Sequence, residues 1–266
     1  EVTTGLDFGN IHESVGEKVW DMDETADGQN GKNGHWLTLA ANTKRTKQHV
    51  RGMCHVSFSV NGTDLPPETY QCLSQPKSIA YGIALALQAG DQVEMIKKVH
   101  VDATKTEPAT MVPETQVKTS VEAVTYEQMK EMSADWWQQQ WLVSDIVIEG
   151  DPLNQQGIRF CIFQMHQTMH SDAFAAVIGA KGLTGEAYNG NTFWDSEVYC
   201  LPFYLFNNPK AAKGILKLRH DTLPQAKERA KMLDCEGAFY PIATISGHEC
   251  CDLWQHASLQ LQASTA

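Results

Sequence analysis

The chain has 266 residues, 42% of them hydrophobic and 20% charged, with a formal charge of −11 at pH 7. Such an acidic surface is repelled by phosphate backbones, which sets nucleic-acid binding aside, and no apolar run approaches the roughly 18–20 residues of a membrane span. The seven cysteines are odd in number and form no CxxC pair, so zinc-ribbon and dithiol redox motifs are absent and a reducing cytoplasm is the expected compartment.

Short alternating stretches dominate the first 120 residues. In "HVSFSV" (55–60) Val56, Phe58 and Val60 share one face of a strand. "IAYGIALAL" and "QVEMIKKVHV" also read as strands, with "QAGDQ" as the turn between them. "DGQNGKNGH" is rich in turn formers, and Asn61-Gly62-Thr63, although a glycosylation sequon, reads as another turn. The region is expected to be antiparallel β, part of a sandwich.

From Thr125 the pattern turns helical. Thr125 and Gln128 form a capping box. Met129, Met132, Trp136 and Val143 then share one face, and Trp137 and Trp141 an adjacent stripe, read as packing against a neighbouring domain rather than as a ligand platform. Asp151-Pro152 and Asn208-Pro209 each open a helix with a cap and a proline in the first turn. Ile158, Ile162, Met165 and Met169 form the apolar stripe of the first. Thr222 is expected to cap the helix carrying "LPQAKERAKML", with Lys231 in its last turn and Gly237 after its end. Short loops connect these helices as αα-hairpins, about five after residue 150.

Several patterns offer chemistry. His166 and His170 have the helical spacing of two zinc ligands, but Gln167 stands where a metallopeptidase needs Glu, so no metal site is assigned. "GAKGLTG" (179–185) lacks the context of a phosphate loop. Cys250 and Cys251 read as buried thiols at a helix start. The stretch "GEAYNGNTFWDSE" (185–197) sets Glu186, Tyr188, Phe193, Trp194, Asp195 and Glu197 among small residues. Aromatic rings beside carboxylates suit a sugar, whose C–H face packs on a ring while its hydroxyls seek acceptors. The alternative is that Asp195 merely caps the helix at "SEVYCL" and Glu197 sits in its first turn. A second acidic loop, "SGHECCDLW" (246–254), carries Glu249, Asp252 and Trp254. In an αα-barrel, two such loops would face one pocket.

"SDIVIEGD", "NQQGIRFCIFQMHQT", "IGAKGLTGEAYNGNTFWDSEVYCLPFYLFNNPKAA" and "TLPQAKERAKMLDCEGAFYPIATISGHECC" together resemble glycoside hydrolase family 65, the maltose, trehalose, nigerose, kojibiose and glucosylglycerol phosphorylases. The resemblance runs from about Trp136 to Ala266. It implies a multidomain α and β protein: the end of an N-terminal β-sandwich (1–120), a helical linker (121–150) and the first half of an (α/α)6 barrel (151–266). It implies inverting phosphorolysis of an α-glucoside to β-glucose 1-phosphate, with inorganic phosphate as co-substrate and no other cofactor. A Glu protonates the glycosidic oxygen, and phosphate stands where an inverting hydrolase has its activated water. By resemblance Phe193, Trp194 and Asp195 line the subsite of the transferred glucose. His248, Glu249, Cys250, Cys251 and Asp252 shape the acceptor subsite, leaning towards kojibiose or glucosylglycerol. The family's general acid lies in a "TGPNEY"-like motif, which this chain does not contain, and is expected beyond residue 266 with the phosphate-binding residues. With no initial Met and no stop after "LWQHASLQLQASTA", the chain is expected to be an internal piece of a larger enzyme, inactive by itself, and the resemblance implies a homodimer for the parent. The competing expectations are a trehalose-type hydrolase of the same family, and a non-catalytic sugar-binding half-barrel covered by a partner or a second copy.

Overall fold

The computed structural model describes residues 1–9, 20–31, 34–44, 47–104, 110–169, 178–184 and 187–250. The chain divides into two compact units, with the division after Ser133.

The first unit is built on two antiparallel sheets. One has the order β1-β7-β6, from β1 (Val2–Asp7), β6 (Gln71–Gln75) and β7 (Ser78–Ile83). The other has the order β2-β3-β4-β5, from β2 (Trp20–Gly31), β3 (Gly34–Thr43), β4 (His49–Val60) and β5 (Thr63–Asp64), with β8 (Val93–Thr104) also paired to β4. Leu37, Leu39, Cys54, Val56 and Phe58 of the second sheet share one buried cluster with Ile79, Tyr81 and Ile83 of the first. The alternation read in "HVSFSV" is the inward face of β4, and the two sheets close on it.

Strand β3 is buried on both faces from His35 to Leu39. Its second face is covered by helix α1 (Glu114–Ala123), whose Val117 packs with Trp36 and Met53. Trp36 Nε1 donates to Glu122 at 2.9 Å. Lys98 Nζ donates to the carbonyl of Val121 at 3.0 Å and also to that of Val124. A cation thus meets the carbonyl end of α1, where the helix dipole favours it.

The turn expectations meet mixed outcomes. Asn61 and Gly62 have φ of 52° and 77° and join β4 to β5 as a tight hairpin. "DGQNG" instead lies in β2, which pairs with β3 up to Gly31 opposite Gly34. Strands β7 and β8 are not a hairpin: β7 pairs with β1 and β6, and β8 with β4. "QAGDQ" therefore connects two sheets, and its Asp91 holds the bend by accepting from Gln88 N at 2.7 Å and Asn61 Nδ2 at 2.9 Å.

The division between the units falls inside α2 (Tyr126–Ser144). Its capping box is reciprocal: Thr125 N donates to Gln128 Oε1 at 2.9 Å and Gln128 N to Thr125 Oγ1 at 3.2 Å. Met129, Met132, Trp136 and Val143 stay exposed, whereas Trp137 lies 4.7 Å from the Phe163 ring.

The second unit continues with α3 (Pro152–Thr168), α4 (Leu201–Asn207), α5 (Pro209–Asp221), α6 (Leu223–Met232) and a small ladder of β9 (Thr192–Phe193) with β10 (Ala243–Thr244). The caps at Asp151 and Asn208 form as read, accepting from Asn154 N at 3.1 Å and Ala211 N at 3.2 Å. Thr222 does not cap α6. Its hydroxyl donates back to Leu218 O at 2.8 Å, because α5 and α6 follow one another with no extended residue between them. Asp234, with φ of 54°, takes the left-handed position after α6, ahead of Gly237. Met169, Ile178, Tyr204, Ala211, Ala212 and Ile215 form the core. Tyr204 is fully buried and donates to Met165 O at 2.6 Å, tying α4 to α3.

Candidate functional site

The segment before α4 is shaped by its backbone. Tyr188 sits at φ of 63°, Asn191 N returns to Tyr188 O at 3.0 Å, and the Tyr188 ring meets that of Phe193 edge-on at 5.5 Å. Thr192 and Ser196 are buried and share a hydroxyl contact of 2.8 Å. A π-helical turn over Ser196–Cys200 then leads into α4.

Asp195 is not a helix cap. Its dihedrals are already helical (φ −54°, ψ −32°), its side chain makes no cap bond, and it is exposed. Among the described residues no hydrogen bond or ion pair engages its carboxylate. Trp194 is half-buried beside Tyr199, with ring centroids 6.0 Å apart. A ring and an unclaimed carboxylate thus stand side by side at the end of β9.

Glu197 has a different task. It forms a two-pronged pair with Arg219 at 2.7 and 3.0 Å, both side chains being under a tenth exposed. Arg219 also donates to Phe193 O at 3.3 Å. Sequence reading found both residues' elements but not the pair, which spans 22 positions.

The second loop is brought alongside the first. Ala243 pairs with Phe193 and Thr244 with Thr192, in an antiparallel register. Glu249 turns back on its own loop, accepting from Ile242 N at 2.8 Å, Ala243 N at 3.2 Å and Cys250 N at 3.1 Å. Arg229 adds an ion pair at 2.9 Å. These donors engage both carboxylate oxygens of Glu249. Gly247 is buried at φ of 93°, and a Cβ there would meet Thr222 Cβ at 2.7 Å. Only glycine lets the loop approach the α5–α6 junction so closely. Gly247 N also donates to Thr244 Oγ1 at 2.7 Å.

His248 and Cys250 are exposed. Cys250 is neither buried nor helical, because its amide is committed to Ala243 O at 2.9 Å and to Glu249. Gly185, Glu186, His170, Cys251, Asp252 and Trp254 lie outside the described residues. Among the described residues no group of three His, Cys, Asp or Glu could hold a metal ion.

His166 is buried and contacts Ser144 Oγ through Nε2 at 3.0 Å. Ser144 Oγ donates to Gln140 O at 2.7 Å, so the imidazole Nε2 carries the proton. Burial pushes the His166 pKa down. With Trp136, Trp137, Gln167 and Leu183 it lines an open cleft of about 360 Å³. The zinc spacing read on α3 is therefore, at His166, a hydrogen-bonded histidine of the helix interface.

Residues 159–264 match the model of the glycosyl hydrolase family 65 central catalytic domain. A maltose phosphorylase of Bacillus subtilis is 41% identical over 131 residues, which is 49% of this chain and 17% of that protein. A glucosylglycerol phosphorylase of Bacillus selenitireducens is 34% identical over 193 residues, 71% of this chain and 24% of its own. A solved structure assigned as a kojibiose phosphorylase from the human microbiome superposes with a TM-score of 0.77 at 33% identity, covering 99% of this chain and 34% of that one. The chain thus spans well under half the length of the relatives it matches. Sequence and fold together place this chain in glycosyl hydrolase family 65, with its residues 159–264 corresponding to the family's central catalytic domain.

Proposed function

We propose that this chain carries the sugar-recognition part of an α-glucoside phosphorylase, which converts a disaccharide or glucosylglycerol and phosphate into β-glucose 1-phosphate and the freed acceptor. Trp194 packs on the glucose ring, and Phe193 lines the same subsite. Asp195 accepts hydroxyl hydrogen bonds, so a sugar lacking the right hydroxyl leaves that carboxylate unpaired and is rejected. His248, with the neighbouring Cys250, Cys251 and Asp252, borders the acceptor. Glu249 supports that border through its bonds to Ile242, Ala243, Cys250 and Arg229.

The observation that carries this reading is the β9–β10 ladder, which sets the Phe193–Asp195 segment beside the segment leading to His248 while Asp195 stays unclaimed among the described residues. Neither Glu197 nor Glu249 is assigned as the general acid, since arginine and backbone donors already occupy both. The chemical step is assigned to inorganic phosphate as the attacking group, with no metal or organic cofactor. A homodimer and a cytoplasmic setting belong to the same reading.

The test has two arms. Calorimetric titration of the chain with glucose, maltose, kojibiose, nigerose and trehalose should show binding that Trp194→Ala abolishes. The protein as its source cells make it should release glucose 1-phosphate from one of these sugars only when phosphate is present. Free glucose without phosphate would replace phosphorolysis by hydrolysis. No binding of any sugar by the folded chain would overturn the assignment of Trp194 and Asp195.

A further inference from the structure

The two segments of the proposed sugar site are joined by more than their two-residue ladder. Arg219, near the end of α5, grips Glu197 and donates to Phe193 O at 3.3 Å. The carbonyl of Arg219 accepts from the Tyr240 hydroxyl at 3.1 Å. The carbonyl of Tyr240 accepts from Arg229 Nη1 at 2.6 Å. Arg229, in the last turn of α6 and lying 4.7 Å over the Phe239 ring, pairs with Glu249 at 2.9 Å. Glu249 in turn accepts from Ala243 N, and Ala243 is the ladder partner of Phe193. The contacts close a ring: Phe193, Arg219, Tyr240, Arg229, Glu249, Ala243 and back to Phe193.

We propose that Arg219, Tyr240, Arg229 and Glu249 are positioning residues that lock the Phe193–Asp195 and His248–Cys250 segments into one frame, so that loosening either loop degrades sugar recognition at both. This rests on the sugar-site reading above. Two features favour positioning over plain stability. Replacing a buried ion pair by apolar side chains of the same volume is often neutral or stabilising, so stability alone does not account for these two pairs. Both guanidinium groups also bind main-chain carbonyls, at Phe193 of β9 and at Tyr240 just before β10, so the backbone itself is held. A binding group needs its supporting shell fixed within about 0.5 Å to keep its affinity.

The ring makes a prediction that a local role would not. Tyr240→Phe removes one hydroxyl at 3.1 Å and keeps the aromatic ring. Glu249→Gln removes the charge and keeps an acceptor. Each variant of the full 266-residue chain is compared with the native chain by amide hydrogen exchange, glucose titration and melting. Faster exchange at Thr192–Phe193 and at Ala243–Thr244 together is expected in both variants. Glucose affinity should fall roughly fivefold or more in Tyr240→Phe, with its melting temperature nearly unchanged. Faster exchange confined to the segment after residue 240, with Thr192–Phe193 unaltered, would overturn the ring whatever happens to sugar binding. If both segments loosen but the native chain binds no sugar, the frame stands and the sugar reading falls. If Tyr240→Phe loosens neither segment and keeps its affinity, the positioning role is wrong.

Discussion

The most informative single change is Asp195→Ala. The carboxylate is exposed, its residue is already helical, and it caps nothing. A substitution at such a place should alter stability by no more than about 0.5 kcal/mol. If Asp195 instead accepts a sugar hydroxyl, the lost hydrogen bond to a charged group is worth about 1.5–3 kcal/mol. That converts to a rise of roughly 10- to 150-fold in the dissociation constant for glucose. Calorimetric titration and thermal melting of the two proteins, run at one pH and salt, read both quantities. Nearly unchanged melting with that affinity loss is the expected pair. The reasoning is refuted by the opposite pair: affinity held within about twofold while the melting temperature drops by several degrees. That result would return Asp195 to the structural task which its helical dihedrals exclude.

Four other outcomes are expected. Gly247→Ala forces a Cβ against Thr222 and strains a positive φ, so it should destabilise the second unit by more than about 2 kcal/mol, read by urea unfolding. Tyr204→Phe deprives Met165 O of its buried donor and should cost about 1–2 kcal/mol in the same assay. Asn208→Ala removes the cap of α5 and should cost about 1 kcal/mol. For pH, burial holds the folded His166 pKa below its ordinary 6.5, so the unfolded chain binds more protons below that pH. The stability this group supplies is therefore present above pH 6.5 and drains away as pH falls towards the folded pKa. His166→Gln should flatten that slope; an unchanged slope would mean the imidazole is not held neutral.

What the sequence by itself determined was local. The caps at Thr125, Asp151 and Asn208, the hairpin at Asn61-Gly62 and the inward face of β4 depend on residues within a few positions of each other, and each forms as read. The motif at Phe193–Asp195 was legible because aromatic and acidic residues cluster there without a packing reason. Whatever depended on partners distant in sequence was decided only by the tertiary structure. Strands β7 and β8 alternate as a hairpin would, yet strand pairing is chosen by which sheet buries each apolar face, and they part to different sheets. Asp195 and Glu197 could each have served the helix end; the Arg219 guanidinium, brought in by α5, claims Glu197, and among the described residues Asp195 is left open. Glu249 reads by resemblance as part of the acceptor subsite, and the structure adds that Arg229 and the amides of Ile242, Ala243 and Cys250 converge on it. A carboxylate's task is set by which donors fold against it, and in this chain those donors come from helices that the residues around each carboxylate do not specify.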